Sequence, residues 1–195
     1  MRLAIFGGTF DPIHNAHLAI ARRAAAEVRL DRVLFVPAAR PPHKGGGTHA
    51  AYDDRLHMVE LAIAGEPRFE ASRLEEGTAF SYSIDTIEKV HRLLEPGDEL
   101  FFIIGADAFA EIRTWRRWQD VVRAVDFIVV SRPGHQYEIP PGARVERLDS
   151  LELRVSSSEV RRSLGANEYS DAVPERVLEY ILSHSLYLNE SKMER

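Results

Sequence analysis

The sequence predicts one Rossmann-like α/β domain, a doubly wound and mainly parallel sheet with helices on both faces. Three observations carry that prediction. Apolar runs of strand length at residues 3–6, 33–36, 100–104 and 127–130 are continuous rather than alternating, as strands buried on both faces read. Apolar residues at helical spacing fill the intervals between them. A chain of 195 residues with 45% hydrophobic content supports one core and gives little reason to expect a second.

Taken in order, the first strand stops at Gly7-Gly8, and residues 17–30 form a helix with Leu18, Ala21, Ala25 and Val28 on one side and Arg22, Arg23, Glu27 and Arg29 on the other. After the second strand, Pro37, Pro41, Pro42 and the triglycine at 45–47 mark a loop. Residues 52–64 follow as a helix through Leu56, Val59 and Ile63, and residues 83–94 repeat the pattern through Ile84, Ile87 and Leu94. Trp115 and Trp118 are expected to share a face of a short helix after the third strand. Pro133-Gly134 and Pro140-Pro141-Gly142 punctuate the chain beyond the fourth strand, and residues 173–182 read as a terminal helix introduced by Pro174. The expected domain spans residues 1–188, with 189–195 a polar tail.

Charge and composition exclude several function classes. A net charge of −5 lacks the basic excess of a nucleic-acid binder, so phosphates must be met locally. The absence of cysteine removes disulfides, thiolate metal sites and cysteine nucleophiles, and fits a cytoplasmic location. The apolar run after Met1 is too short for a signal sequence or a membrane span, so no membrane partner is expected. Nothing in the pattern fixes an oligomeric state, and a homo-oligomer stays open.

The strongest local signal is the stretch from Gly7 to His17 after the first strand. Two glycines let the backbone approach a ligand, and the following helix aims free N–H groups at an anion. No Gly-Lys-Ser/Thr ends the stretch and it does not match G-x-G-x-x-G, which weakens the P-loop and dinucleotide-dehydrogenase readings. His14 and His17 then supply imidazole donors toward the same phosphates. Helix capping is the ordinary alternative for such a pair, and zinc ligation lacks the glutamate of H-E-x-x-H, so no metal ligand is assigned to the protein. Ser156, Ser157 and Ser158, followed by Arg161, make a second helix start with hydroxyls and a guanidinium. Taken alone, that is an N-cap and a solvated arginine.

The first stretch resembles the GTFDPxHxGH signature of the nucleotidyltransferase superfamily of cytidylyl- and adenylyltransferases, with Ala16 where that family usually has glycine. Residues 155–161 resemble its second motif, ISSTxxR. Residues 37–44 resemble the PxxxPPHK loop of the nicotinate-nucleotide adenylyltransferase branch, with alanines at 38 and 39 where many members carry an asparagine. Ser81-Tyr82-Ser83, Ile104-Gly105-Ala106-Asp107 and Thr114-Trp115 are similar to further segments of that branch, so the resemblance covers most of the chain.

The resemblance implies transfer of the adenylyl group of ATP to nicotinate mononucleotide, giving deamido-NAD and pyrophosphate, with Mg²⁺ held mainly by the ATP phosphates. It places His14, His17 and Arg161 in charge stabilisation and Gly8, Thr9 and Phe10 in backbone contact with phosphate. Gly105, Asp107, Ser157 and Ser158 fall to ATP, with Asp107 facing the ribose, and Lys44 meets a phosphate of the pyridine nucleotide. Trp115 would stack on the pyridine ring while backbone N–H groups near Ser83 and Arg116 receive the nicotinate carboxylate. Arg132 ends a buried strand at the ligand edge of the sheet and is a secondary candidate for the ATP pocket. Another small-molecule adenylyltransferase, such as phosphopantetheine adenylyltransferase, and a nucleotide-binding sensor without turnover are the alternatives.

Overall fold

The computed structural model describes residues 1–40, 47–131, 136–149, 155–168 and 171–188. In chain order the elements are β1 (Arg2–Gly8), α1 (Asn15–Glu27), β2 (Arg32–Pro37), α2 (Tyr52–Ile63), β3 (Phe69–Ala71), α3 (Ser83–His91), β4 (Glu99–Gly105) and α4 (Ala106–Ala110). A single 3-10 turn (Ile112–Thr114), α5 (Trp118–Ala124), β5 (Asp126–Ser131), β6 (Arg144–Asp149), α6 (Ser157–Gly165) and α7 (Glu175–Ser183) complete the set. The strands lie in the order β3-β2-β1-β4-β5-β6 and every adjacent pair is parallel. The predicted fold class holds.

Strand periodicity of two divides the core between the faces of this sheet. Ala4 and Phe6 of β1, Val33 and Phe35 of β2, and Phe101 and Ile103 of β4 point to the face covered by α1, α2, α6 and α7. Leu3, Ile5, Leu34, Val36, Leu100, Phe102 and Ile104 point to the other, covered by α3, α4 and α5. Both faces are dry, which is why these strands read as unbroken apolar runs. The strand order reverses between β1 and β4, whose register pairs Phe6 with Ile103. The carboxyl ends of strands at such a reversal open a crevice where ligands of doubly wound sheets bind.

Two strands escaped the sequence pattern. β3 is three residues long, and β6 is an edge strand whose residues are mostly exposed apart from Leu148. Neither makes an apolar run. The tryptophan pair is corrected: Trp115 is extended, with φ −73 and ψ 146, and Trp118 opens α5 after Arg117 in the left-handed region at φ 53. They do not share a helix face, although both pack against the core of the α3–α5 side. α1 begins at Asn15, two residues before the expected start, because His14 serves as its N-cap. No helix among the described residues is long and apolar enough to cross a membrane.

Candidate active site

The loop between β1 and α1 begins at Gly8, where an added Cβ would meet the Phe10 ring at 3.0 Å. That ring is 2% exposed and wedged edge-on and tilted among Phe6, His17 and Phe35, at centroid distances of 5.7, 5.1 and 5.8 Å. Phe10 itself takes a left-handed φ of 49, a strained state for a residue with a side chain, and burial of its ring holds it there. The loop is therefore shaped by an aromatic anchor as much as by glycine.

His14 and His17 stack with ring centroids 3.8 Å apart and 26° between planes. The His14 backbone N–H donates to His17 Nδ1 at 3.2 Å, so a neutral His17 carries its proton on Nε2. His14 Nδ1 is buried without a hydrogen-bond partner among the described residues. Desolvation pushes the His14 pKa down to about 4 against the opposing pull of Glu159. Burial, reinforced by His14, holds His17 well below its ordinary value. Two imidazolium charges at this spacing would repel by about 4 kcal/mol at an effective dielectric constant near 20. Both rings are thus neutral near pH 7 and offer N–H dipoles rather than full charges.

The second motif docks on the first. Ser156 caps α6 by accepting from the Glu159 N–H, and the Glu159 carboxylate accepts from the Ser156 N–H, a reciprocal capping box. Ser157 Oγ donates to the Pro12 carbonyl at 3.0 Å, and Arg161 donates to the Asp11 carbonyl at 2.7 Å and to Ser158 Oγ at 3.3 Å. Residues 145 and 150 positions apart in sequence meet here. Arg161 thus reaches the loop, with its guanidinium on the Asp11 carbonyl oxygen. Ala16, in the first turn of α1, is 4% exposed.

A buried polar set that the sequence did not reveal holds this arrangement. The Asp11 carboxylate, 1% exposed, accepts from the His49 N–H at 2.7 Å, the Ala50 N–H at 3.0 Å and the Tyr187 hydroxyl at 2.8 Å. Arg55, fully buried on α2, donates to the Thr9 carbonyl at 2.7 Å and to Ala50 O at 3.3 Å. Desolvation lowers the Arg55 pKa while Asp11 opposes the fall. In the sequence Arg55 is one charged residue of an amphipathic helix, and no local pattern distinguishes it.

Beside the loop lies a cavity of about 250 Å³ whose lining includes Gly8, Thr9, Ser83, Phe102, Gly105 and Trp115. Gly8 and Gly105 end β1 and β4, Ser83 starts α3, and Trp115 follows the 3-10 turn. Its Trp115 wall packs edge-on against Phe102 at 6.1 Å. Glu75, also missed in the sequence, accepts from Thr86 Oγ1 at 2.6 Å and the Ala39 N–H at 3.3 Å, joining the β2 exit to α3. The Arg116 side chain covers the Tyr82 ring at 4.7 Å and approaches Asp85 at 3.7 Å, lining an adjoining groove of about 520 Å³ that shares Glu75 and Thr86 with the cavity. That groove is larger but contains no residue of the β1–α1 loop, so the smaller cavity is the candidate pocket. Asp107 is exposed in the first turn of α4 and does not line the cavity. Lys44 and Arg132 lie outside the described residues.

The sequence pattern of the cytidylyltransferase-like family matches residues 5–163. A protein of Solibacter usitatus named "Probable nicotinate-nucleotide adenylyltransferase" is 66% identical, with 96% of this chain and all of that one covered. A Thermus thermophilus protein of the same printed name is 44% identical over 96% of this chain and 100% of its own length. Among solved structures, the Plasmodium falciparum nicotinic acid mononucleotide adenylyltransferase complexed with NaAD superposes with a TM-score of 0.79 at 20% identity, covering 98% of this chain and 99% of that one.

Two outcomes follow from the loop. Gly8→Ala is expected to lower turnover at least tenfold, because the new methyl must displace a buried ring and not a flexible side chain; steady-state kinetics check this, and wild-type turnover would refute it. The depressed His14 and His17 pKa values mean that the unfolded chain binds more protons between pH 6.5 and about 4. Stability is therefore expected to be fully held above pH 6.5 and to fall as pH drops toward 4. Urea midpoints of wild type and His14→Gln measured across that window should converge as pH falls; parallel curves would contradict the assignment.

Proposed function

The chain belongs to the cytidylyltransferase-like family and, within it, to the nicotinate-nucleotide adenylyltransferases, and we propose that it transfers the adenylyl group of ATP to nicotinate mononucleotide as a step of NAD biosynthesis. An oxygen of the mononucleotide phosphate attacks the α-phosphorus of ATP in line. The bond from that phosphorus to the bridging oxygen breaks, pyrophosphate leaves with the electron pair, and nicotinate adenine dinucleotide remains. The attacking phosphate is ionised near neutral pH, so the reaction needs no protein nucleophile, and catalysis rests on positioning and charge stabilisation.

The observation that carries this reading is the docking of α6 on the β1–α1 loop beside an aromatic-lined pocket at the strand reversal. In the proposal the backbone at Gly8, Thr9 and Phe10 meets phosphate, and His14 and His17 direct N–H donors at charge developing on the transferred group. Neutral imidazoles suit that role, since they strengthen their hydrogen bonds as negative charge grows without first repelling each other. Arg161 and the α6 start, with Ser157 and Ser158, place positive potential behind the loop. Gly105 and Asp107 are assigned to the ATP nucleoside, and Lys44 and Arg132 to phosphate and adenine contacts.

No group of three or more His, Cys, Asp or Glu among the described residues could hold a metal ion, so in the proposal the cation enters on the triphosphate. Mg²⁺ bound to ATP would supply charge neutralisation across the phosphates and a better leaving group. Trp115 offers a face for the pyridine ring, and amide donors near Ser83 and Arg116 favour a carboxylate over a carboxamide, whose own N–H groups would oppose them.

Pyrophosphate release with ATP and Mg²⁺ is expected with nicotinate mononucleotide and at a far lower rate with nicotinamide mononucleotide or phosphopantetheine. Equal rates with all three, or none with any, would refute the assignment. Trp115→Ala is expected to raise KM for the pyridine substrate about tenfold or more while KM for ATP changes by about twofold or less, in line with the worth of a stacked aromatic contact. Equal increases for both substrates would make Trp115 a packing residue.

A further inference from the structure

Tyr187 lies beyond α7, near the end of the described chain, and it reaches back 176 positions to the first motif. Its ring is 7% exposed, part of the core on the face covered by α1, α2, α6 and α7, and its backbone is left-handed at φ 63. Its hydroxyl donates to Asp11 Oδ1 at 2.8 Å, on the same oxygen that accepts from the Ala50 N–H. Burial and the Asp11 charge push the hydroxyl pKa far up, so the group remains a donor. From the other side, Arg55 grips the Thr9 carbonyl. The main-chain carbonyl of Asp11 takes the Arg161 guanidinium. One buried set thus touches the phosphate loop at Thr9 and Asp11 and, through Asp11, the second motif.

We propose that Tyr187 and Arg55 are positioning residues of the transfer reaction, acting through Asp11 and the Thr9 carbonyl to hold the phosphate loop and Arg161 in one fixed geometry. The inference rests on the adenylyl transfer proposed above. A phenylalanine would fill the volume of the Tyr187 ring, and the hydrogen bond of a buried hydroxyl to a carboxylate largely offsets its own desolvation. What the hydroxyl adds is direction. A carboxylate held by three donors from two segments cannot rotate, and its carbonyl then presents a single orientation to Arg161. Small displacements matter because transfer between two phosphates depends on in-line alignment, and an error of about 1 Å can cost on the order of a hundredfold in rate.

The test uses the full chain and three variants. Tyr187→Phe removes the hydroxyl alone. Arg55→Lys keeps the charge and loses the planar fork. Tyr180→Phe is the matched control, because Tyr180 on α7 donates to Asp54 Oδ1 at 2.8 Å, a tyrosine–aspartate bond of the same length outside the site. Steady-state pyrophosphate release and thermal midpoints are measured for each with ATP, Mg²⁺ and nicotinate mononucleotide. The expected result is a fall in kcat of about tenfold for Tyr187→Phe and at least that for Arg55→Lys, with KM for the pyridine substrate within about twofold of wild type. Tyr180→Phe should keep kcat within about twofold whatever its thermal midpoint. Wild-type kcat in Tyr187→Phe or in Arg55→Lys, or an equal loss in Tyr180→Phe, overturns the proposal while the reaction stands. A wild-type chain that releases no pyrophosphate overturns the reaction, and this inference with it.

Discussion

The Asp11 carboxylate is the point on which the site turns. It is removed from water, and it accepts hydrogen bonds from the segment before α2 and from the residue that follows α7 by four positions. A buried carboxylate left without such donors costs several kcal/mol, so the loop that carries it can occupy only the place where all of them converge. That place is the open end of β1, at the reversal of strand order. The sheet fixes where the loop starts, and Asp11 fixes where it goes.

A consequence reaches the histidines. Because the loop enters α1 through His14, the stacked rings inherit its orientation, and their burial makes them weak bases. In the proposed reaction, an anion beside two neutral N–H dipoles would be held by oriented hydrogen bonds, with the Arg161 guanidinium on the Asp11 carbonyl adding charge nearby. This division of labour separates direction from net charge. It also explains how a chain with an overall charge of −5 can present a phosphate site.

The sheet was legible in the sequence because its inner strands are dry on both faces, and unbroken apolar runs follow from that fact alone. β3 and β6 were not, being short or exposed at the sheet edges. The stretch that holds Gly8, Thr9, His14 and His17 stood out because a glycine turn before a helix is a local pattern. Arg161 was readable only through its pairing with the first motif. Arg55, Glu75 and Tyr187 left no trace, since each matters through partners tens to hundreds of positions away, and a buried arginine looks in sequence like any solvated one on a helix. Trp115 and Trp118 show the converse error. Their spacing suggested a helix face, and the left-handed Arg117 between them breaks it.

On the proposed reading, the two motifs act as one phosphate site. A double-mutant cycle between His17→Ala and Arg161→Ala, read as kcat/KM for ATP, tests it most directly. If the motifs share one geometry, the double variant should lose little more than the more damaged single variant. If the two losses multiply in full, the motifs work independently and the account of a single converged site is wrong.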